Sequence, residues 1–266
     1  MDQQVLDPLP IWVILVLLVV AMVLVYELGF RLGVWWQERT PGEQEGPTGS
    51  LVGSLLALMA FVLAISMGMA SDRFDRRRAL VLEEASAIRS AYLMAGYLPD
   101  PAGERTRALL RDYTPLRLAT PDLDTLTANF RRSEEIHLQL WAIVEDLVQT
   151  TENTDITALF VEAIDEIIEV HEARAIAGLH ARVPETVVFL LLGGSTLTLL
   201  LVGYSAGITE RRSIISAVAL VITLSVVTVL VLDIDRPRDG IISVSEQPLV
   251  DLERRIFVQP SNAPVE

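Results

Sequence analysis

The sequence contains no cysteine and no lysine, and it has only three histidines. Without cysteine the chain can form neither a disulfide nor a thiol nucleophile, and it cannot bind zinc or an iron–sulfur cluster through thiolates. Since all 21 basic residues are arginine, the composition is typical of a GC-rich bacterial genome. A nucleophile elbow, a P-loop, a dinucleotide-binding fingerprint and the paired carboxylates of a glycosidase are also missing from the sequence. The sequence therefore predicts no enzyme active site and no cofactor.

Charge is absent from four long apolar stretches of the chain. These are residues 11–26, 51–70, 186–209 and 213–232. A helix needs about 20 apolar residues to cross a bilayer, and the first stretch is extended to Trp36 by apolar residues interrupted only by Glu27 and Arg31. The chain has 35 acidic residues and yet a positive mean hydropathy of +0.43, so its charges must be concentrated between these stretches. We therefore predict an all-α membrane protein with four transmembrane helices.

The four predicted spans divide the chain into alternating membrane and water-facing parts. The first ten residues include Asp2 and Asp7 but no basic residue, unlike a cleaved signal peptide, so the first span is expected to be retained. The predicted parts are a first transmembrane hairpin at 1–71, a cytoplasmic helical insert at 72–185 between spans two and three, a second transmembrane hairpin at 186–232 and a cytoplasmic tail at 233–266.

Arginines near the spans are distributed unequally between the two sides of the membrane. On the side of the insert and the termini these are Arg73, Arg76, Arg77, Arg78, Arg89, Arg174, Arg182, Arg236 and Arg238, and on the opposite side they are Arg31, Arg39, Arg211 and Arg212. Segments rich in arginine tend to stay in the cytoplasm. We therefore predict that the insert and both termini are cytoplasmic, and that the protein lies in the inner membrane of a bacterial cell.

The insert is predicted to be a bundle of helices. Its first helix continues the second span to about residue 95, where the glycines and prolines of 96–103 end it. Further helices are expected at about 104–118, 120–150 and 155–182. The last of these has an apolar face, Ile156, Leu159, Phe160, Ala163, Ile164, Ile167 and Ile168, and an acidic face, Glu162, Asp165, Glu166, Glu169 and Glu172. Stripes of this kind are typical of helices packed in a bundle.

Three pairs of glycines stand four residues apart at or inside the predicted spans. They are Gly29 with Gly33, Gly49 with Gly53, and Gly203 with Gly207. Glycines at this spacing allow two helix backbones to approach closely in a membrane. The pairs therefore predict tight helix packing, either within one protomer or between protomers.

Two segments partly match metal-binding motifs, and neither is complete. His171 and Glu172 begin like a zinc protease motif, but Ala175 stands where the second histidine belongs, so a zinc protease is excluded. Residues 235–246 match several positions of a calcium-binding loop, although Pro237 replaces the third ligand and Pro248 is expected to prevent the helix that should follow. A structural turn is favoured over a calcium site, and no metal is predicted.

Several motifs resemble a known family. These are ELGFRLG at 27–33, RFDRRRALVLEEASAIRSAYL at 73–93, YLPDP at 97–101, HEAR at 171–174, ARVP at 181–184 and DIDRPRDGIISVSEQPL at 233–249. Together they resemble a large bacterial family of membrane proteins that is called bestrophin-like. The resemblance implies four spans and cytoplasmic termini and, through the more distant bestrophins, a pentameric channel for small anions. It also implies a pore neck in the second span, for which helical spacing places Leu58, Phe61 and Ile65 on one face.

Charged residues at the ends of the spans predict a further site, a junction clasp. Asp233 and Asp235 leave the last span near the membrane surface where the arginines of the insert are expected, so ion pairs would fix the tail against the insert. The residues of this predicted clasp are Arg76, Arg77, Arg78, His171, Arg174, Asp233, Asp235 and Arg236.

Two functions from different classes agree with these features. One is a homo-oligomeric anion channel with an apolar constriction in the second span. The other is a membrane scaffold or sensor that conducts no ions, whose acidic insert binds a cytoplasmic partner; the net charge of −14 favours a basic one. Both interpretations include membrane lipid as a partner, and neither includes nucleic acid.

Overall fold

A computed structural model describes residues 10–40, 48–118, 122–150, 155–179, 183–209, 213–236, 242 and 244–257. In these ranges the chain forms helices and no strand. The helices are α1 (Ile11–Arg39), α2 (Thr48–Met94), α3 (Ala102–Leu116), α4 (Leu123–Thr150), α5 (Asp155–Leu179), α6 (Glu185–Ile208), α7 (Ile214–Asp235) and α8 (Gln247–Phe257), with a 3₁₀ turn at Ala95–Tyr97 after α2. The predicted all-α class is confirmed for this part of the chain.

Four of these helices, α1, α2, α6 and α7, are long and apolar enough to cross a membrane. Their large apolar side chains are widely exposed, as Trp12, Phe189 and Ile215 illustrate with exposed fractions of 66%, 71% and 86%. Such surfaces are stable when lipid or another apolar surface covers them. The prediction of four helices long and apolar enough to span a membrane is confirmed, and α1 extends to Arg39 beyond the uncharged stretch.

One compact unit consists of Met1–Phe74 and Ala181–Ser243. It contains α1, α6, α7 and the first part of α2, and its core includes Met22, Leu63, Leu191, Leu199 and Val221. The helices α1 and α6 touch through their backbones. A Cβ atom added to Gly29 would collide with the carbonyl oxygen of Leu200, and one added to Gly203 would collide with that of Tyr26.

The glycine pairs thus have different surroundings. For Gly33 and Gly207, which face each other, an added Cβ would also meet backbone atoms of the opposite helix. The predicted tight packing is therefore confirmed within one protomer for the pairs on α1 and α6. A Cβ added to Gly49 or Gly53 on α2 would meet no atom within 4 Å, so that pair is open in the protomer.

The second compact unit consists of Asp75–His180 and Val244–Glu266. It contains the last part of α2, the helices α3, α4 and α5, and α8. Its core is aromatic and aliphatic and includes Tyr113, Leu140, Phe160, Ile164 and Leu249, each fully buried. The predicted helices of the insert are present, and the last of them ends at Leu179, before the expected residue 182.

The two faces predicted for α5 are largely correct. Phe160, Ile164 and Ile167 are fully buried, and the five acidic residues of the opposite face are exposed. The prediction is wrong for Ile156 and Leu159, which are 43% and 48% exposed. Leu159 lies about 100° around the helix from Phe160, and Ile156 belongs to the first turn, at the edge of the core.

The expectation that Pro248 prevents a helix is also wrong. Helix α8 begins at Gln247, so Pro248 lies in the first turn. The amide groups of a first turn have no partner inside the helix, and proline is therefore tolerated there. Leu249 and Leu252 of α8 are buried in the core of the second unit.

Candidate functional site

The predicted neck residues share one exposed face of α2. Leu58, Phe61 and Ile65 have exposed fractions of 57%, 62% and 48% in the protomer. The opposite face of the same helix, which includes Met59 and Leu63, is buried in the core of the first unit. The apolar part of α2 therefore has two different faces. One face packs into the core of the first unit, and the opposite face exposes three large apolar side chains.

A buried carboxylate forms the centre of a second candidate site, in the second unit. Glu84 of α2 is fully buried. One of its oxygens accepts a hydrogen bond of 2.5 Å from Nε of Arg117 and one of 3.3 Å from the hydroxyl of Tyr113, and its other oxygen accepts a hydrogen bond from Arg174. A carboxylate so deep in a protein requires charged partners of this kind. We call Glu84, Tyr113, Arg117 and Arg174, together with His137, His171 and Phe130, the Glu84 cluster.

Two histidines lie next to this carboxylate. The hydroxyl of Tyr113 is 3.2 Å from Nδ1 of His171, and the ring of His137 meets that of His171 edge to face at a centroid distance of 4.7 Å. Phe130, which lies on α4, packs against His171 on α5. Burial lowers the pKa of His171 to about 3, and the positive charge of Arg117 contributes to the shift. Burial and Arg117 likewise lower the pKa of His137 to about 4.

Both imidazoles are therefore neutral at pH 7. Burial also raises the pKa of Tyr113, which keeps its phenolic proton. The phenol donates to the carboxylate of Glu84, and the phenolic oxygen is therefore the acceptor for Nδ1–H of His171. The cluster thus contains a directional chain of hydrogen bonds from imidazole to phenol to carboxylate.

Arg174 connects the cluster to the chain segment that precedes α8. Its Nη2 donates a hydrogen bond of 2.7 Å to Glu246, and its Nη1 is 3.2 Å from the carbonyl oxygen of Arg117. One guanidinium therefore binds two carboxylates and one carbonyl. Because a guanidinium has five N–H donors in a fixed plane, arginine suits this position better than lysine would.

The predicted clasp residues are found in both units. Asp233, Asp235 and Arg236 belong to the first unit, and Arg76, Arg77, Arg78, His171 and Arg174 belong to the second. The carboxylate of Asp235 accepts hydrogen bonds of 2.9 and 3.0 Å from the amide of Val183, just before α6, and that of Asp233 accepts one of 3.2 Å from the amide of Ile242. Both aspartates thus fix backbone near the ends of α6 and α7.

In the second unit the predicted clasp residues separate into different environments. Arg174 binds Glu84 and Glu246, as described above. Arg76 forms an exposed ion pair of 3.7 Å with Glu83, Arg77 is buried, and Arg78 is exposed. The junction clasp as a whole stays a prediction. Residues 237–241 and 243 of the candidate calcium loop lie outside the described residues, and among the described ones no group of three or more acidic or histidine side chains could hold a metal.

Sequence reasoning missed three residues at the centre of the cluster, namely Glu84, Tyr113 and Arg117. A signal for Glu84 does exist in the sequence. It lies one helical turn from Val81 and Ile88, which are both buried core residues, so it interrupts an apolar face at helical spacing. A charged residue at such a position needs an oppositely charged partner on another helix, but the spacing alone does not identify that partner.

The helices and their contacts define the class of the protein as a helical membrane protein with four candidate transmembrane helices and a second helical unit. The sequence profile of the Bestrophin-like domain matches residues 23–249, which is more than half of the chain. The chain therefore belongs to the Bestrophin-like family, as the sequence motifs predict. A comparison with curated protein sequences gives no match.

Solved structures share this fold. A variant of a bacterial bestrophin homologue from Klebsiella pneumoniae has a TM-score of 0.66 and 17% identity, with 93% of this chain and 99% of that one covered. A second variant of the same homologue has a TM-score of 0.68 and 18% identity over 93% and 98% of the two chains. A structure described as a membrane protein has a TM-score of 0.69 and 17% identity over 96% and 99%. At these identities the comparison establishes the fold alone.

Proposed function

We propose that the protein is a homo-oligomeric, anion-selective channel whose pore neck is formed by Leu58, Phe61 and Ile65 of α2. The observation that supports this proposal is the free apolar face of α2, which carries these three residues opposite its packed face. Arranged around a central axis, the α2 helices of several protomers would place these side chains in a ring. An apolar ring of this kind gates a pore by losing its water.

The resemblance to bestrophins implies five protomers. The open surroundings of Gly49 and Gly53 support contact between protomers at the start of α2, because a neighbouring helix could approach closely there. The arginine distribution supports a cytoplasmic position of the insert and both termini. The mass of the detergent-solubilised protein tests the stoichiometry, and a monomer would contradict the proposal.

Chloride flux into liposomes tests conduction. Phe61→Ala should increase the flux because it widens the ring, and Phe61→Trp should decrease it. Phe189 on α6 provides a matched control, because it is also a phenylalanine in a span and is 71% exposed. The same two substitutions at Phe189 should leave the flux unchanged. Anion selectivity is measured from the reversal potential in a chloride gradient.

Liposomes that stay impermeable with a correctly assembled oligomer would overturn the channel proposal. They would favour the alternative, a membrane scaffold whose insert binds a basic cytoplasmic partner. The observation in favour of that alternative is the exposed acidic face of α5, which carries Glu162, Asp165, Glu166, Glu169 and Glu172. Charge reversal along this face would then abolish partner binding, whereas it should have little effect on the flux of a channel.

A further inference from the structure

Two polar side chains on the buried face of α4 have no hydrogen-bond partner among the described residues. They are the hydroxyl of Ser133 and Nε2 of His137. Ser133 is fully buried and His137 is only 7% exposed. The two residues are four apart on one helix, so their side chains are neighbours. Leaving a buried polar group unsatisfied costs about 1–3 kcal/mol, and two such groups side by side indicate a binding site for a small polar species.

The surroundings of this site are enclosed. The ring of His137 lies 5.1 Å from that of Tyr113 and 4.7 Å from that of His171, measured between centroids. Phe130, one turn before Ser133 on α4, packs against His171 and against the guanidinium of Arg117. Aromatic and imidazole rings from α3, α4 and α5 therefore pack together at this position.

The charges in the interior of the cluster are two guanidinium groups and one fully buried carboxylate. Arg117 and Arg174 face the interior of the cluster, where Glu84 is the fully buried carboxylate, while Glu246 lies nearer the surface with a side chain 20% exposed. The same excess is visible at His137, where Arg117 lowers the pKa more strongly than Glu84 raises it. A field that disfavours an imidazolium favours an anion. The hydroxyl of Ser133, and Nε2 of His137 when it carries its proton, are hydrogen-bond donors.

We propose that Ser133 and His137 form a binding site for a small monovalent anion of the halide type, inside the second unit. In this site the two donors hold the anion, and Arg117 supplies the attraction. The site is separate from the proposed neck on α2 and does not depend on conduction. Occupancy would link the stability of the second unit to the halide concentration.

The first test measures the melting temperature of the intact, detergent-solubilised protein and compares a chloride buffer with a gluconate buffer of equal ionic strength. A bound anion stabilises the folded state by mass action, so the melting temperature should be higher in chloride by roughly 3 °C. Ser133→Ala should abolish this difference, because it removes one donor at a small cost in volume. Ser86→Ala is the matched control at an exposed serine on α2, and it should keep the difference.

The second test locates the anion. In crystals grown with bromide in place of chloride, the proposal requires an anomalous peak within hydrogen-bond distance of Ser133 Oγ and His137 Nε2. A density without anomalous signal would identify a water molecule and overturn the proposal. Equal melting temperatures in chloride and gluconate, or a difference that persists in Ser133→Ala, would overturn it as well.

Discussion

The substitution Glu84→Gln tests the electrostatic account of the second unit most directly. It keeps the shape of the side chain and removes the charge that two guanidinium groups share. Arg117 has a side chain only 5% exposed and would remain as a buried cation without a counter-ion among the residues that the structure describes, whereas Arg174 would still bind Glu246. Removing one partner of a buried ion pair costs about 3–5 kcal/mol. For a chain of this size, this corresponds to a fall of about 10 °C in melting temperature.

Thermal unfolding in detergent, followed by tryptophan fluorescence, measures this effect. The neighbouring Glu83→Gln is the matched control, because Glu83 and Arg76 form an exposed pair at 3.7 Å and such pairs contribute about 0–1 kcal/mol. Glu84→Leu combined with Arg117→Met should recover much of the loss, since an apolar pair needs no counter-charge. Equal melting temperatures for Glu84→Gln and Glu83→Gln would refute the reasoning.

Two further predictions concern the histidines and the glycine contact. Because the pKa values of His137 and His171 fall to about 4 and about 3 in the folded protein, the unfolded chain binds more protons below pH 6.5. The free energy of unfolding should therefore decrease as the pH falls from about 6.5 toward 4, by about 2 kcal/mol for each ring at pH 5. Melting temperatures measured over a pH series check this, and His137→Gln should reduce the dependence of stability on pH by about half. In the first unit, Gly33→Ala should cost about 1–3 kcal/mol because its Cβ would lie 3.0 Å from Cα of Gly207 and closer still to a carbonyl oxygen. Gly193→Ala on α6 should be neutral, because an added Cβ would meet no atom within 4 Å there; equal melting temperatures of these two variants would contradict the packing.

The spans were predictable from the sequence because their signal is local. An uncharged run of about 20 apolar residues forms a helix long enough to cross the hydrocarbon core of a bilayer, and this does not depend on the rest of the chain. The boundary at 96–103 was predictable for the same reason, since glycine and proline act on their own backbone. Pro248 shows the limit of such rules, because its effect depends on where the helix begins. At the second residue of α8 it is tolerated, although two turns later it would break the helix.

The Glu84 cluster was not predictable because its signal is not local. Glu84, Arg117 and Arg174 are far apart in the sequence, and the sequence offers many other carboxylates to each arginine. Three packed helices determine which of these carboxylates is buried. Asp235 is a similar case, since its carboxylate accepts hydrogen bonds from the amide of Val183, a partner that the sequence did not suggest. A backbone donor leaves no trace in a residue pattern, so only the fold can identify it.

The charges in the Glu84 cluster determine how it responds to acid. Arginine side chains in proteins are always charged, and burial keeps Tyr113 neutral. The imidazoles of His137 and His171, which lie beside these cations, can gain a proton as the pH falls. Each added proton would place a third positive charge beside two guanidinium groups that already share Glu84. Acid should thus weaken the second unit from inside this cluster.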